Sequence, residues 1–290
     1  YSDAFVANQR FCFKLPPESL PKTRDEEDAS KTTDTKSSLA KYAPLLCAGV
    51  TTFDPLVRYG CLDGRKRVGV AGFGGLGMMA TKLARAMRCD VVALSSSPDK
   101  EPAARRMGAS EFWVTTDAEA MKEKAEAVKE AVKKRDAAVY GWQHPDPPPA
   151  GEGSASDSDE KKASGDDRVS LDVILDTVSA PHDVAALVDL LAPDGTLVLL
   201  GLDARPFALA ANALVFSRKV VRGSLIAGTK STEACLEFCV KHGVFPDVRV
   251  IDAAKAADAL KALDKKNDAA VRYVIDCETI PKRAKRSAAA

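Results

Sequence analysis

The sequence has 290 residues, 46% of them hydrophobic and 29% charged, so the chain is long enough to bury a sizeable core. Its 42 basic and 41 acidic residues leave a formal net charge of +1, which creates no global field favouring nucleic acid or an anionic membrane. The longest apolar runs, such as residues 197–202, are far shorter than the roughly 18 residues needed to cross a bilayer. We therefore expect a small-molecule partner, no nucleic acid and no membrane.

The cysteine content indicates a protein without a disulfide framework. The seven cysteines are odd in number, include no C-x-x-C pair and are scattered along the chain. This pattern also argues against a complete structural zinc site. We therefore expect a reducing, cytoplasmic setting. Because the sequence begins with Tyr1 rather than Met, a processed or incomplete chain has to be considered.

Two polar segments interrupt the apolar pattern. Residues 21–38 are nearly devoid of apolar side chains, and residues 140–168 combine proline stiffness with polar, glycine-rich low complexity. Neither segment can bury enough apolar surface to offset the entropy lost on ordering. Both are predicted to be disordered surface insertions.

Elsewhere, apolar runs alternate with helical patterns in chain order. Before the second insertion the strand-like runs are RVGVAGF, DVVALSS and EFWVTT, separated by the helical stretches MMATKLARAM and PDKEPAARRMG. After it the strand-like runs are LDVILDTV, GTLVLLGL and KVVRGSLI, with a helix at about His182–Leu191 joining the first two. Near-continuous apolar strands of this kind indicate a parallel sheet covered by helices on both faces. The predicted fold class is therefore α/β, with a doubly wound parallel sheet.

A glycine-rich turn joins the first strand to the first helix. The run GFGGLG follows the strand Arg67–Ala71 and opens a helix over Leu76–Met87. In a dinucleotide-binding turn, the first glycine allows the bend, the second lets the backbone approach the pyrophosphate, and the third lets helix and strand pack closely. The helix N-terminus adds amide hydrogens that face the anion. A simple tight turn is the alternative. The candidate cofactor-binding residues are Gly72, Gly74, Gly75, Leu76 and Gly77.

The end of the next strand indicates which cofactor would bind. The strand Asp90–Leu94 is followed by Ser95, Ser96 and Ser97 rather than by the acidic residue that accepts the ribose 2′-hydroxyl of NAD. Three hydroxyls, with Lys100 close behind, suit a 2′-phosphate instead. These residues favour NADP. Alternatively, the serines cap the following helix, and the two roles can coexist.

Several motifs are shared with one known family: YAPLLCAGVT at residues 42–51, GFGGLG, SSSPDK, LDVILDTVSA, DGTLVLLGL, RKVVRGSLIAGTKSTEACLEFC and VRYVID. With them the chain resembles the cinnamyl alcohol dehydrogenase branch of the zinc-dependent medium-chain alcohol dehydrogenases, over most of its length apart from the two polar segments. The resemblance implies an NADP-binding Rossmann domain at residues 47–228. It also implies remnants of a GroES-like β catalytic domain at both chain ends, at residues 1–46 and at residues 229–290, which include a basic tail.

The resemblance further implies an activity and the residues that carry it. In the family, hydride passes between nicotinamide and an alcohol or aldehyde carbon that catalytic zinc polarises, and the full-length enzyme is usually a homodimer. The cysteine of the PLLCAG stretch is a ligand of that zinc, so Cys47 takes this role; without the resemblance, a buried apolar thiol would be favoured. Cofactor contacts are implied for Thr51, Thr177, Val178, Gly201, Ser224, Leu225 and Ile226.

Most of the family's zinc ligands have no counterpart in this sequence. In the family they come from an upstream cysteine and a His-Glu pair, and a catalytic site of this class needs three protein ligands. The isolated His144, His182 and His242 are expected to be solvated or helix-terminal, not substitutes. We therefore expect an incomplete fragment that is inactive alone. Two alternatives stay open: a zinc-independent NADPH quinone or enoyl reductase of the same superfamily, and a non-catalytic NADP-binding module.

Overall fold

The computed structural model describes residues 6–15, 39–140, 169–264 and 272–280. The predicted insertion at 21–38 lies outside these residues, as does the predicted insertion at 140–168 except for its first residue. In the described part of the chain, no helix combines the length and the apolar character needed to cross a membrane.

Helices and strands alternate along the described residues. The strands are β1 (Arg67–Ala71), β2 (Asp90–Ser95), β3 (Glu111–Val114), β4 (Leu171–Asp176), β5 (Leu191–Leu199), β6 (Val220–Gly223), β7 (Val248–Asp252) and β8 (Arg272–Asp276). The α-helices are α1 (Ala48–Arg58), α2 (Gly75–Ala86), α3 (Glu101–Arg106), α4 (Ala118–Tyr140), α5 (Val184–Asp189), α6 (Asn212–Val215), α7 (Thr229–His242) and α8 (Ala256–Asp264). The predicted strands from β1 to β6 are all present, with ends that differ by a few residues.

Six strands form one parallel sheet in the order β3-β2-β1-β4-β5-β6. The chain winds outward from β1 to β3 and then returns to the other side of β1 with β4. In open α/β sheets, the ligand crevice lies at this reversal, outside the carboxyl ends of the strands. The doubly wound Rossmann sheet predicted from the sequence is therefore confirmed. A separate sheet pairs β7 with β8, also in parallel.

Helices cover both faces of the main sheet because successive strand side chains point to opposite sides. Val68 and Val70 of β1 belong to a core cluster that includes residues of α1, α2 and α7. Ala71 belongs to the opposite cluster, together with Met121 of α4 and Val188 of α5. Every residue of β1 is buried, as expected for a central strand of a doubly covered sheet.

Helix α4 connects β3 toward β4 and is not anticipated by the apolar pattern. Its 23 residues are rich in Ala, Glu and Lys, which are strong helix formers. Met121, Ala125 and Val128 repeat at helical spacing and are buried. This narrow stripe is enough to pack α4 beside β3 and β5, but it is too sparse for hydrophobic periodicity alone to reveal.

The described residues near the chain ends form short elements. Two 3-10 turns lie at Gln9–Phe11 and Ala43–Leu46, and Phe13 and Leu15 pack against the core cluster of α1, α2 and α7. Helix α7 itself contacts α1. The division into domains at 1–46, 47–228 and 229–290, with GroES-like remnants at the ends, stays a prediction.

Candidate functional site

The turn between β1 and α2 has a backbone that requires glycine. Gly72 adopts a left-handed φ of 84°, and its amide donates to the Leu94 carbonyl oxygen at 2.9 Å. A Cβ atom on Gly77 would overlap the carbonyl oxygen of Gly72. Glycine at both positions therefore lets α2 begin very close to the end of β1.

Open space lies beside Gly74, the residue that precedes α2. Gly74 has an extended conformation and provides no side-chain cap, and a Cβ atom placed on it would meet no atom of the described residues within 4 Å. Gly75 is the first helical residue, and the side chain of Leu76 packs against the core. The first amides of a helix lack intrahelical acceptors and attract anions. The turn therefore presents amide donors to the crevice.

Residues at the ends of β4 and β5 close around this turn. The hydroxyl of Thr177 donates to the carbonyl oxygens of Ala71 and Gly72, at 2.8 and 3.1 Å. A Cβ atom on Gly72 would lie 2.9 Å from the side chain of Val178, and one on Gly201 would overlap the Val178 carbonyl group. The structure thus brings Thr177, Val178 and Gly201 to the turn, and their contact with a cofactor stays a prediction.

The serine run lies at the end of β2, with its members in different surroundings. Ser95 is buried, and its hydroxyl oxygen accepts the Ser97 amide at 3.2 Å. Ser96 is exposed, and Ser97 and Lys100 are half-buried. Ser97 precedes the 3-10 turn Pro98–Lys100 but provides no side-chain cap for it. The alternative role of Ser97 as a helix cap is therefore not observed, which leaves its hydroxyl available for a ligand.

Cys47 and Thr51 lie at the start of α1. The thiol of Cys47 belongs to an exposed residue at the helix N-cap, so the buried-thiol alternative is wrong for it. Thr51 is 4% exposed, and its contact with a cofactor stays a prediction. Cys235 and Cys239 are both buried, with their sulfur atoms 4.0 Å apart, as expected from their spacing on one helix face.

Among the described residues, no group of three or more His, Cys, Asp or Glu side chains is placed to hold a metal ion. A catalytic zinc of the expected class needs three protein ligands. The described residues therefore do not make up such a site by themselves, and Cys47 as one zinc ligand stays a prediction. All seven cysteines are free thiols.

The predicted cofactor contacts after β6 continue the edge of the sheet. The Ser224 amide donates to the Leu199 carbonyl oxygen at 3.0 Å, which extends the β5–β6 pairing by one residue. Leu225 and Ile226 follow outside the strand and are more than half exposed, at 57% and 55%. These three residues lie on the same edge as the glycine turn because all six strands are parallel.

Sequence reasoning missed Arg272, which begins β8. Its guanidinium lies against Gly75, so that a Cβ atom there would overlap it. The Arg272 Nε atom is buried and has no hydrogen-bond partner among the described residues. Nothing local to VRYVID indicates this position, because only the fold brings β8 to the start of α2.

Sequence reasoning also missed a buried carboxylate and its partner at the end of β4. Asp176 is 2% exposed; its Oδ1 accepts the Val178 amide at 3.0 Å, and its Oδ2 lies 2.9 Å from Nε2 of His182. The other ring nitrogen of His182 lies 2.9 Å from the Ala180 carbonyl oxygen. His182 thus lies at a helix terminus, directly before the N-cap of α5, as expected, but its ring nitrogens contact Ala180 and Asp176, which the sequence did not indicate. Burial raises the pKa of the Asp176 carboxyl, although the Val178 amide and His182 oppose that shift.

The Asp176–His182 pair borders a cavity of about 520 Å³ between the loops that follow β4 and β5. Its charged lining includes Asp183, Asp203 and Arg205, and its apolar lining includes Phe207. Asp203 pairs with Arg205 at 3.0 Å. Val178 and Gly201 also line the cavity, so it adjoins the crevice beside the glycine turn.

Comparison with known proteins identifies one family. The model of the zinc-binding dehydrogenase family matches residues 75–241. A probable cinnamyl alcohol dehydrogenase of Arabidopsis thaliana is 34% identical over 277 residues, covering 95% of this chain and 60% of that protein. A probable mannitol dehydrogenase of Medicago sativa is 33% identical with the same two coverages, 95% and 60%. The chain thus spans about 60% of the length of these relatives.

Solved structures show the same relationship. The chain is similar to a cinnamyl alcohol dehydrogenase of Sorghum bicolor, with a TM-score of 0.68 and 32% identity over 93% of this chain and 59% of that one. It is also similar to the CAD of Helicobacter pylori, solved in complex with NADP(H), with a TM-score of 0.58 and 31% identity over 81% of this chain and 55% of that one.

Proposed function

The chain belongs to the zinc-binding dehydrogenase family, and we propose that it is the cofactor-binding part of an NADP(H)-dependent alcohol dehydrogenase. The reaction would pass hydride between nicotinamide and the carbon of an alcohol or aldehyde. The observation that carries the proposal is the glycine turn of Gly72 and Gly77 at the reversal of strand order, with open space beside Gly74. The cinnamyl alcohol and mannitol dehydrogenases among its relatives support this substrate class.

The pyrophosphate is proposed to lie at the N-terminus of α2. Gly74 offers space there, and the amides of the first turn offer hydrogen bonds to an anion. Arg272 adds a guanidinium beside Gly75. Its buried Nε–H group is a hydrogen-bond donor that has no acceptor among the described residues. When bound, the nicotinamide supplies the hydride chemistry, and the residues of this chain hold and orient it.

The 2′-phosphate is proposed to bind Ser96, Ser97 and Lys100. The loop after β2 carries no acidic residue before Asp99, so no carboxylate takes the position that selects NAD. Ser95 contributes differently, because its hydroxyl already holds the Ser97 amide and so shapes the loop. The NADP(H) complex of the Helicobacter pylori relative supports the same choice of cofactor.

Zinc enters the proposal only through Cys47. The exposed thiol at the N-cap of α1 is a suitable soft ligand for zinc. A complete set of three ligands would need at least one residue from outside the described part of the chain, because that part contains no group of three or more His, Cys, Asp or Glu side chains that could hold a metal ion.

A homodimer is proposed through the open edge of the main sheet. Among the described residues, no strand pairs with the outer side of β6, and an unpaired edge strand is a template for a second chain. Large apolar side chains near that edge are exposed, at 70% for Val215 and 84% for Phe216, and Leu225 and Ile226 lie beyond the strand. The reducing, cytoplasmic setting expected from the sequence stays a prediction.

Calorimetric titration of the chain with NADPH and with NADH tests the proposed cofactor. We expect NADPH to bind at least about tenfold more tightly, because charge-assisted hydrogen bonds to the 2′-phosphate are worth roughly 1.5–3 kcal/mol. The variant Lys100→Ala should lose most of this preference while keeping its affinity for NADH.

The matched control is Lys133→Ala, which removes an exposed lysine from the second half of α4, whereas the loop after β2 contacts Thr116 just before the start of that helix. It should leave both affinities unchanged. Equal affinities of the unaltered chain for the two cofactors would remove NADP from the proposal, and binding of neither would overturn the dinucleotide function itself.

A further inference from the structure

The structure points to His182 as a positioning residue for the cofactor crevice, and we propose that it acts through Asp176 by means of one shared proton. This inference rests on the proposed function, since the crevice is taken to hold NADP(H). It goes further by assigning a role to a buried pair that contributes no atom to the glycine turn.

Hydrogen-bond geometry determines how many protons the pair carries. The Nδ1 atom of His182 faces the Ala180 carbonyl oxygen, and Nε2 faces the Asp176 carboxyl oxygen, each at 2.9 Å. A carbonyl oxygen only accepts, so Nδ1 carries a hydrogen. Nε2 must then donate as an imidazolium or accept from a protonated carboxyl group. In either case the pair holds one proton more than a carboxylate and a neutral imidazole together.

Loss of the shared proton would disrupt the pair. A neutral imidazole has one N–H group, whereas two oxygen acceptors face its ring. The lone pair of the unprotonated ring nitrogen would then face the oxygen of either the Ala180 carbonyl or the Asp176 carboxylate and repel it. The direction of the Asp176 pKa, which burial raises, agrees with retention of a proton here.

The pair connects to the glycine turn through the backbone. Asp176 binds the Val178 amide with its side chain, and its carbonyl oxygen accepts the amides of Leu200 and Gly201 at 2.8 and 3.0 Å. The neighbouring Thr177 donates to the carbonyl groups of the turn. Displacement of the Asp176 carboxylate would therefore loosen the ends of both β4 and β5 where they meet the turn.

Other charged groups surround the pair. Asp183 binds the Ala186 amide at 3.0 Å as the N-cap of α5, and Asp203 with Arg205 approaches from the loop after β5. Asp203 also interacts electrostatically with His182, but its closer partner is Arg205, with which it forms an ion pair. Asp183 is already engaged as a cap. The proton shared by Asp176 and His182 is therefore expected to dominate the pH response of this region.

Three variants separate this role from a general structural one. Asp176→Asn can accept the Val178 amide with its oxygen and donate to a neutral His182 with its amide group, so it needs no shared proton. His182→Ala leaves the buried carboxylate without its partner. Asp203→Asn is the matched control, because it removes a carboxylate of the same cavity that forms an ion pair with Arg205 and takes no part in the hydrogen bonds of the pair.

The primary measurement is NADPH affinity between about pH 7 and about pH 9, above the range in which the cofactor's own 2′-phosphate titrates. We expect the affinity of the unaltered chain to fall several-fold with rising pH, and the profile of Asp176→Asn to be flat. His182→Ala should bind about tenfold more weakly throughout. Asp203→Asn should follow the unaltered chain. A profile that Asp176→Asn leaves unchanged overturns the inference while the proposed function stands.

Hydrogen–deuterium exchange decides the inference even if no NADPH binds. Without cofactor, the amides of residues 72–78 and 177–179 should exchange faster in His182→Ala than in the unaltered chain or in Asp203→Asn. Unaltered exchange in these segments would refute the positioning role independently of the proposed function. Failure of NADPH binding together with faster exchange would instead refute the proposed function alone.

Discussion

The two ends of the parallel strands in the main sheet, which we call the amino edge and the carboxyl edge, differ in how their charged groups are paired. At the amino edge, where the strands begin, the guanidinium of Arg67 is 2% exposed and pairs with Asp90 and Glu111. The Arg67 amide also donates to Asp172 at 2.7 Å. At the carboxyl edge, the described residues leave open space beside Gly74 of the glycine turn, and the buried Asp176 carboxyl group pairs with the His182 imidazole. The amino edge pairs its charges with one another, whereas the first amides of α2 at the carboxyl edge lack intrahelical acceptors.

The fold also shifts the pKa values of one carboxyl group at each edge in opposite directions. Burial opposes the charge of Glu111, but the Trp113 indole and Arg67 outweigh that effect and lower its pKa. Burial of Asp176 prevails over its hydrogen bonds and raises its pKa. Relative to unperturbed carboxyl groups, the fold therefore favours the ionised form at Glu111 and disfavours it at Asp176.

Replacement of the amino-edge cation should have the largest effect on stability. Arg67→Met leaves Asp90 and Glu111 without their shared partner, which should lower the free energy of unfolding by about 3 kcal/mol. Denaturant titration measures this loss. The affinity of the remaining folded protein for NADPH should not change, because the network lies at the opposite edge from the crevice. A loss of affinity would mean that the two edges are coupled.

Replacement of a carboxyl-edge glycine should affect stability less and binding more. Gly77→Ala places a Cβ atom against the Gly72 carbonyl oxygen, which should cost about 2 kcal/mol of stability and displace the turn. In the matched variant Gly74→Ala, the new Cβ atom meets no atom of the described residues within 4 Å, so the free energy of unfolding should stay the same. Both should weaken NADPH binding, measured by calorimetry. Retention of full affinity in Gly74→Ala would show that no ligand occupies the space beside it.

The fold was predictable from the sequence wherever burial imposed a pattern. The strand β1 is buried on both sides, and its sequence is an apolar run. The turn that follows needs glycine at positions 72 and 77, because its backbone leaves no room for a Cβ atom there. Helix α4 was not predicted, because one narrow buried stripe suffices for a helix at the sheet surface.

The candidate site was predictable only where chain neighbours form it. The serine run and the glycine turn are continuous in sequence, so their composition carries the signal. Arg272 and Gly75 lie almost 200 residues apart, and only the docking of β8 against α2 joins them. His182 follows Asp176 by six residues, but nothing in the sequence indicates that the intervening loop folds back.

The contribution of Arg272 to binding is expected to be smaller than that of the glycine turn. Arg272→Ala should weaken NADPH and NADH binding equally, by about tenfold, because the pyrophosphate is common to both. Parallel calorimetric titrations measure the two affinities. Arg249→Ala, in the adjacent strand β7, is the control and should leave both unchanged. A loss confined to NADPH would place Arg272 at the 2′-phosphate instead.

The smallest expected effect is the acid response of the amino edge. Because the pKa of Glu111 is lowered in the folded state, its contribution to stability is present above about pH 4.3, the ordinary value for Glu, and disappears as the pH falls through the folded-state value. Glu111→Gln should therefore flatten the fall in unfolding free energy between about pH 5 and about pH 3, by less than about 1 kcal/mol because the carboxylate is partly exposed. Glu101→Gln, which breaks an exposed pair with Arg105, should leave that slope unchanged. Identical slopes in the two variants would mean that Arg67 does not hold the charge of Glu111, and the contrast between the two edges would then rest on the carboxyl edge alone.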